Sequence, residues 1–133
     1  MRSPANFYQV IRNIFLVAFG GALGSVGRFL LASLVVSVLP YTFPFGTFVV
    51  NVLGSFVMGA VVGLAERHLW LQNEWRLFLT AGFCGGFTTF SAFAFENVEL
   101  LLDKNYGTFA AYSITSFILC IAAALAGLML TKG

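Results

Sequence analysis

Charge is what this sequence has least of. Only 9% of its 133 residues are Asp, Glu, Lys or Arg, where a soluble domain carries about 25%. Hydrophobic residues make up 59% and aromatics 17%, more apolar surface than a small domain can hide in one core. Lipid is the solvent that fits. The net charge is only +2 and no basic cluster exists to hold phosphates, which excludes nucleic acid as a partner. Histidine occurs once, as His68, so no metal-ligand spacing of His and Cys exists. The two cysteines, Cys84 and Cys120, fall inside apolar runs. They read as buried thiols, because disulfide frameworks belong to exposed secreted chains. With neither a nucleophile–base set nor a metal cluster, nothing points to an enzyme.

What is present is a set of long apolar runs. A membrane-spanning helix needs about 20 such residues, and four segments qualify. The first, 14–39, is broken by one charge, Arg28. Arg2 and Arg12 precede it as in a signal peptide, but the run far exceeds the roughly 7–15 residues of a signal core. It reads as a retained helix. Pro40 and Pro44, in LPYTFPFG, then impose a short non-helical turn. The second span, 47–65, contains no charge and one amide, Asn51. Residues 66–76 (ERHLWLQNEWR) combine acids, arginines, His68 and tryptophans, the composition of an interfacial loop with aromatic anchors. The third span, 77–100, holds CGGFTT, and Asp103, Lys104 and Asn105 turn the chain into the fourth, 107–130. A β-barrel is excluded, since its strands are alternating segments of roughly 10 residues. Residues 1–133 thus read as one all-α membrane domain of four transmembrane helices, antiparallel neighbours joined by short connections. Four short helices cannot both enclose a polar path and shield it from lipid. A route for solute is therefore expected between subunits of an oligomer.

Polar residues are costly in lipid, so their placement is informative. Thr47, Asn51, Ser55, Gly59 and Gly63 recur every four residues and share one helix face. Ser55, Gly59 and Gly63 form a small-xxx-small packing surface. Asn51 offers two donors and an acceptor, more than packing needs, and reads as lining a hydrated path. In the first span Gly20, Gly24, Arg28 and Ala32 repeat the same spacing. The glycines do not match a dinucleotide fingerprint and instead admit a neighbouring helix. Arg28 lies roughly 16 Å from the end of its span at 1.5 Å per residue, too deep for snorkelling. It either faces a watery vestibule where it attracts anions, or is a structural arginine bonded to backbone carbonyls. Tyr112, Ser116 and Cys120 align on the fourth span.

The strongest signal is Gly82-Phe83-Cys84-Gly85-Gly86-Phe87-Thr88-Thr89-Phe90-Ser91-Ala92-Phe93. Adjacent glycines and β-branched threonines are poor helix formers, so the third helix is expected to break at its middle. Broken backbone at membrane depth persists only when buried in protein or lining a cavity. Freed carbonyls suit a cation, and a new helix N-terminus suits an anion. Phe90 and Phe93 project from one face beyond the break, and aromatic edges carry positive partial charge.

GTFVVN at 46–51 and GFCGGFTTFSAF at 82–93, with GRFL in the first span and NYG before the last, resemble the Fluc, or CrcB-like, fluoride channel family over nearly the whole chain. That resemblance implies a passive fluoride-selective channel in the cell's inner (plasma) membrane, assembled as an antiparallel homodimer with two pores. Its implied role is export of fluoride that entered as HF, protecting against fluoride toxicity. It further implies that Asn51, Phe90 and Phe93 contact fluoride, with Ser91, Thr47, Tyr112 and Ser116 along the pore. Arg28 would stand in a vestibule, and Glu96 beside the pore. The backbone carbonyls of Gly85 and Thr88 would hold a structural sodium ion at the dimer interface. Ala92 stands where the family often has threonine, and Cys120 where serine is common.

Two other functions compete. A small four-helix multidrug exporter needs an acid in its first span, where this chain has Arg28 and no acid. A non-conducting membrane subunit would need neither Asn51 nor the break. Orientation pulls against the resemblance. With four spans, Arg2, Arg12, Arg67, Arg76 and Lys132 lie on the side of the termini and Lys104 lies opposite, a bias that favours cytoplasmic termini. An antiparallel homodimer needs some chains inserted the other way.

Overall fold

The structure is a computed structural model describing residues 4–133; Arg2, counted above, lies outside the described residues. Helix α1 spans Pro4–Val38, and α2 spans Phe45–Arg67. Helix α3 starts as a regular turn at Glu74–Leu77. It widens to π-helix over Phe78–Cys84 and tightens again at Gly85–Phe87. Helix α4 is Phe90–Leu102, and α5 is Tyr106–Lys132. Taking 74–102 as one crossing, four helical segments are long and apolar enough to span a membrane.

The helix limits follow from local chemistry. Helix α1 starts ten residues before the expected span, because Phe7, Tyr8, Val10 and Ile11 continue an unbroken helical run behind Pro4, and proline is tolerated in a first turn. Its 35 residues reach about 52 Å, beyond a hydrocarbon core of about 30 Å. At the other end its last turn closes with Leu39 N–H donating to Val35 O at 3.0 Å, and Pro40 cannot continue it. The expected loop at 66–76 is shorter, since α2 persists to Arg67 and a single 3₁₀ turn fills Leu69–Leu71. Before α5, Lys104 takes φ 56° and the Asn105 side chain accepts the Thr108 amide at 3.4 Å, an N-cap.

Sequence neighbours run antiparallel, yet the most extensive contacts skip a span: α2 with α5, and α1 with the π-helical part of α3. Both pairs run parallel. On α1, Gly20 faces Phe78 and Gly82, and Gly24 faces Phe83 and Phe87. On α2, Gly59 faces Ala124, while Gly63 faces Leu128 and Thr131. The reason is where the small residues fall. A Cβ on Gly20 would lie 2.6 Å from Phe78 O, and one on Gly24 or Gly59 would overlap Phe83 O or Ala124 O. Helices approach this closely in lipid only through such residues. The stripes read from spacing thus form these two seams.

Helix α4 is different. Its one buried residue is polar, Asn97. Within one chain, apolar packing therefore does little to hold the half-helix that carries Phe90 and Phe93.

Candidate functional site: a broken helix beside a cavity

The third crossing breaks at Thr88 and Thr89, not at the glycine pair. Thr88 (φ −82°, ψ 157°) and Thr89 (φ −150°, ψ 118°) are extended, whereas Gly85 remains helical at φ −61°. β-Branched residues settle readily into extended backbone. The glycines serve proximity instead: a Cβ on Gly86 would collide with the Gly21 carbonyl. The Thr89 hydroxyl caps α4 by accepting from Ala92 N–H at 3.2 Å.

Breaking a helix strands backbone groups, and some of them here find partners from other spans. Asn51 on α2 pairs with Thr89 twice: its Nδ2 donates to Thr89 O at 3.0 Å, and its Oδ1 accepts Thr89 N–H at 2.8 Å. Arg28 Nε donates to Gly86 O at 3.2 Å, joined by Ser25 Oγ at 3.5 Å. Thr88 N–H and Oγ1 both donate to Cys84 O, at 2.9 and 2.8 Å. Three carbonyls are left over, those of Gly85, Phe87 and Thr88; Phe87 O accepts no hydrogen bond across the break. Thr89 N–H would normally close onto Gly85 O but is taken by Asn51. Ala92 N–H would close onto Thr88 O but is taken by the Thr89 hydroxyl. Gly85 and Thr88 thus present oxygens without their helical donors, the donor type that suits a hard cation.

Beyond the break, Phe90 and Phe93 have ring centroids 5.6 Å apart, and Phe93 sits 5.0 Å from the Tyr112 ring. Phe90 is 78% exposed. A cavity of about 430 Å³ lies beside them, lined by Asn51, Thr89, Phe90, Phe93, Ser116 and Cys120 among others. No charged side chain lines it. Ser116 is 7% exposed, and its Oγ is buried without a hydrogen-bond partner. A hydroxyl unpaired at this depth costs free energy unless a ligand or water satisfies it.

Not every expected residue meets at that cavity. Thr47 and Tyr112 converge on Glu96 instead, Thr47 Oγ1 donating to Oε1 and Tyr112 OH to Oε2, both at 2.6 Å. Tyr112 is fully buried. Glu96 and Thr47 line a second cavity of about 440 Å³ together with Glu99, Asp103 and the 40–46 turn. Arg28, Ser25, Thr47 and Thr89 line a third, of about 250 Å³. The cavities share walls, since Thr47 lines the two just named and Thr89 lines the third and the Phe cavity. Arg28 thus bonds a backbone carbonyl and also lines a cavity. Ser91 is exposed, with its Oγ 3.3 Å from the Thr89 hydroxyl, and lines none of these cavities. Cys84 and Cys120 are both free thiols.

Sequence reasoning passed over Asn97. Its Nδ2 donates to Phe93 O at 3.0 Å, and its Oδ1 accepts from Ser113 Oγ at 3.1 Å. The available signal was an amide inside an apolar run, the same signal that singled out Asn51.

Four apolar crossings among the described residues, one of them broken beside a cavity that Asn51, Thr89 and Ser116 line, define a multi-pass integral membrane protein. The family described as CrcB-like protein, Camphor Resistance (CrcB), matches residues 15–128, and the chain belongs to it. A protein of Azobacteroides pseudotrichonymphae named fluoride-specific ion channel FluC is 45% identical over 123 residues, 92% of this chain and 98% of its own. Proteins of the same name from Agrobacterium fabrum (46% identical, covering 90% and 96%) and Leptospira interrogans (40%, covering 91% and 95%) are similarly related.

Proposed function

We propose that this chain forms a passive fluoride-selective channel that lets cytoplasmic fluoride leave the cell and so protects it from fluoride toxicity. One observation carries the reading: Ser116, whose buried hydroxyl has no partner, lines a cavity together with Asn51, Phe90 and Phe93, and no charged side chain lines it. Fluoride is small and strongly hydrated, so a path must replace its water with donors. Ser116 Oγ–H, the Asn51 amide and the positive edges of the two phenyl rings are such groups. None is cationic, which keeps binding weak enough for the ion to leave. The names of the relatives support the same reading, and with it that the protein is no enzyme. An exporter that carries its proton on an acid in the first span lacks that acid, since α1 contains neither Asp nor Glu.

The assembly we propose is an antiparallel homodimer in the plasma membrane, each copy a single four-helix channel domain. Phe90 at 78% exposure needs a second protein surface to complete a path rather than leave it open to lipid. Gly85 and Thr88 fit a sodium ion at that interface, because their carbonyls lack helical donors. A hard cation prefers about six or more oxygens, more than one chain offers at the break. A sodium ion held by these carbonyls would supply positive charge beside the break.

Ser116→Ala tests the carrying observation. The substitution removes a hydroxyl that bonds to nothing in the protein, so thermal stability should hold or rise while fluoride flux falls. Wild-type flux from the variant would remove Ser116 from the path.

A further inference from the structure

We infer that Asn97, through Ser113, is a positioning residue that sets the rotation of α4 about its own axis, and with it where Phe90 and Phe93 point. The inference rests on the fluoride reading above. It begins from an imbalance: α4 carries both phenylalanines, yet its only buried side chain is an asparagine. Among helices in lipid there is no hydrophobic force to compensate. Specific hydrogen bonds must then fix what packing does not.

The bonds are arranged for that task. Asn51 holds the head of α4 at Thr89, which fixes position but leaves the helix free to swivel. Further along, consecutive residues of α4 meet consecutive residues of α5: Glu96 accepts from Tyr112 at 2.6 Å and Asn97 from Ser113 at 3.1 Å. Successive helical side chains point about 100° apart. One such bond permits a pivot about itself, whereas two in different directions fix the angle. Asn97 also donates back to Phe93 O at 3.0 Å, so the turn that bears the Phe93 ring is joined to the pin. Glu96 ties α4 to Thr47 on α2 and to Tyr112 on α5, and the Asn97–Ser113 bond adds a further anchor on the next side chain round the helix.

A ring lies roughly 6 Å from its helix axis, so a 10° swivel displaces it by about 1 Å. Sites that rely on placed groups tolerate about 0.5 Å or 10–20°. Losing the pin should thus lower fluoride flux about tenfold and narrow the margin over chloride.

The test uses purified full-length protein in liposomes, comparing wild type with Asn97→Leu, Ser113→Ala, the double variant, and the exchange Asn97→Ser with Ser113→Asn. Expected are about tenfold slower fluoride efflux for Asn97→Leu, a smaller loss for Ser113→Ala, no further loss in the double variant, and partial recovery in the exchange. The fluoride-to-chloride ratio should fall with the rate. A merely structural role would lower thermal stability while flux per folded protein and selectivity stayed at wild-type values, and that result overturns the inference. Should Asn97→Leu fail to fold, Ser113→Ala decides: unchanged flux and selectivity overturn the inference, and a fall in both supports it. Wild-type protein that conducts no fluoride would instead defeat the channel reading.

Discussion

Asn51 offers the sharpest separation of structure from conduction. Its side chain makes two hydrogen bonds to Thr89, at 3.0 and 2.8 Å, where the backbone has no helical alternative. Side-chain hydrogen bonds in membrane proteins average about 0.6 kcal/mol and reach about 1.7. Thr89 is half-buried and lines two cavities, so water can replace part of what is lost. Asn51→Leu should therefore cost about 1–3 kcal/mol for the two bonds and release the head of α4. Asn51→Asp retains an acceptor for Thr89 N–H and loses only the donor, so its cost should be about half. Its carboxylate nevertheless faces the cavity proposed for an anion, and flux should fall as far as in the leucine variant. Thermal unfolding in detergent, followed by loss of the folded gel-filtration peak, gives the first quantity. Fluoride efflux from liposomes gives the second. An Asp variant that is destabilised yet conducts normally would refute the reasoning, and so would a Leu variant with wild-type stability.

Two further outcomes follow from the same geometry. Replacing sodium with a large organic cation should abolish fluoride efflux, and restoring sodium should recover it; indifference to the exchange would remove the Gly85 and Thr88 carbonyls from any cation site. Single cysteines placed in the 66–76 segment, in a background lacking Cys84 and Cys120, should be labelled from both sides of intact cells but unequally, given the basic bias. Labelling from the cytoplasm alone would rule out the antiparallel homodimer.

Much of this architecture is legible in the residues because lipid removes alternatives. Four apolar runs must be helices, and small residues every fourth position must be seams, as Gly20, Gly24, Gly59 and Gly63 are. Which helices those seams join was not legible. Short connections suggest packing between sequence neighbours, whereas the tightest pairs are α1 with α3 and α2 with α5. The break was legible: adjacent glycines and threonines pointed to 85–89, and the extended backbone falls at the threonines. The polar partners were the hardest to foresee. Thr47 and Glu96 are 49 positions apart, and Asn51 and Thr89 are 38 apart, and no local period links them. Spacing put Thr47 and Asn51 on one face, but only the fold sends the first to Glu96 and the second to the break.

The account stands on selective, passive movement of fluoride, and efflux from liposomes containing only this protein tests it most directly. With sodium present and no pH gradient, fluoride should leave rapidly and chloride slowly. Efflux that requires a pH gradient, or chloride leaving as fast as fluoride, would contradict it.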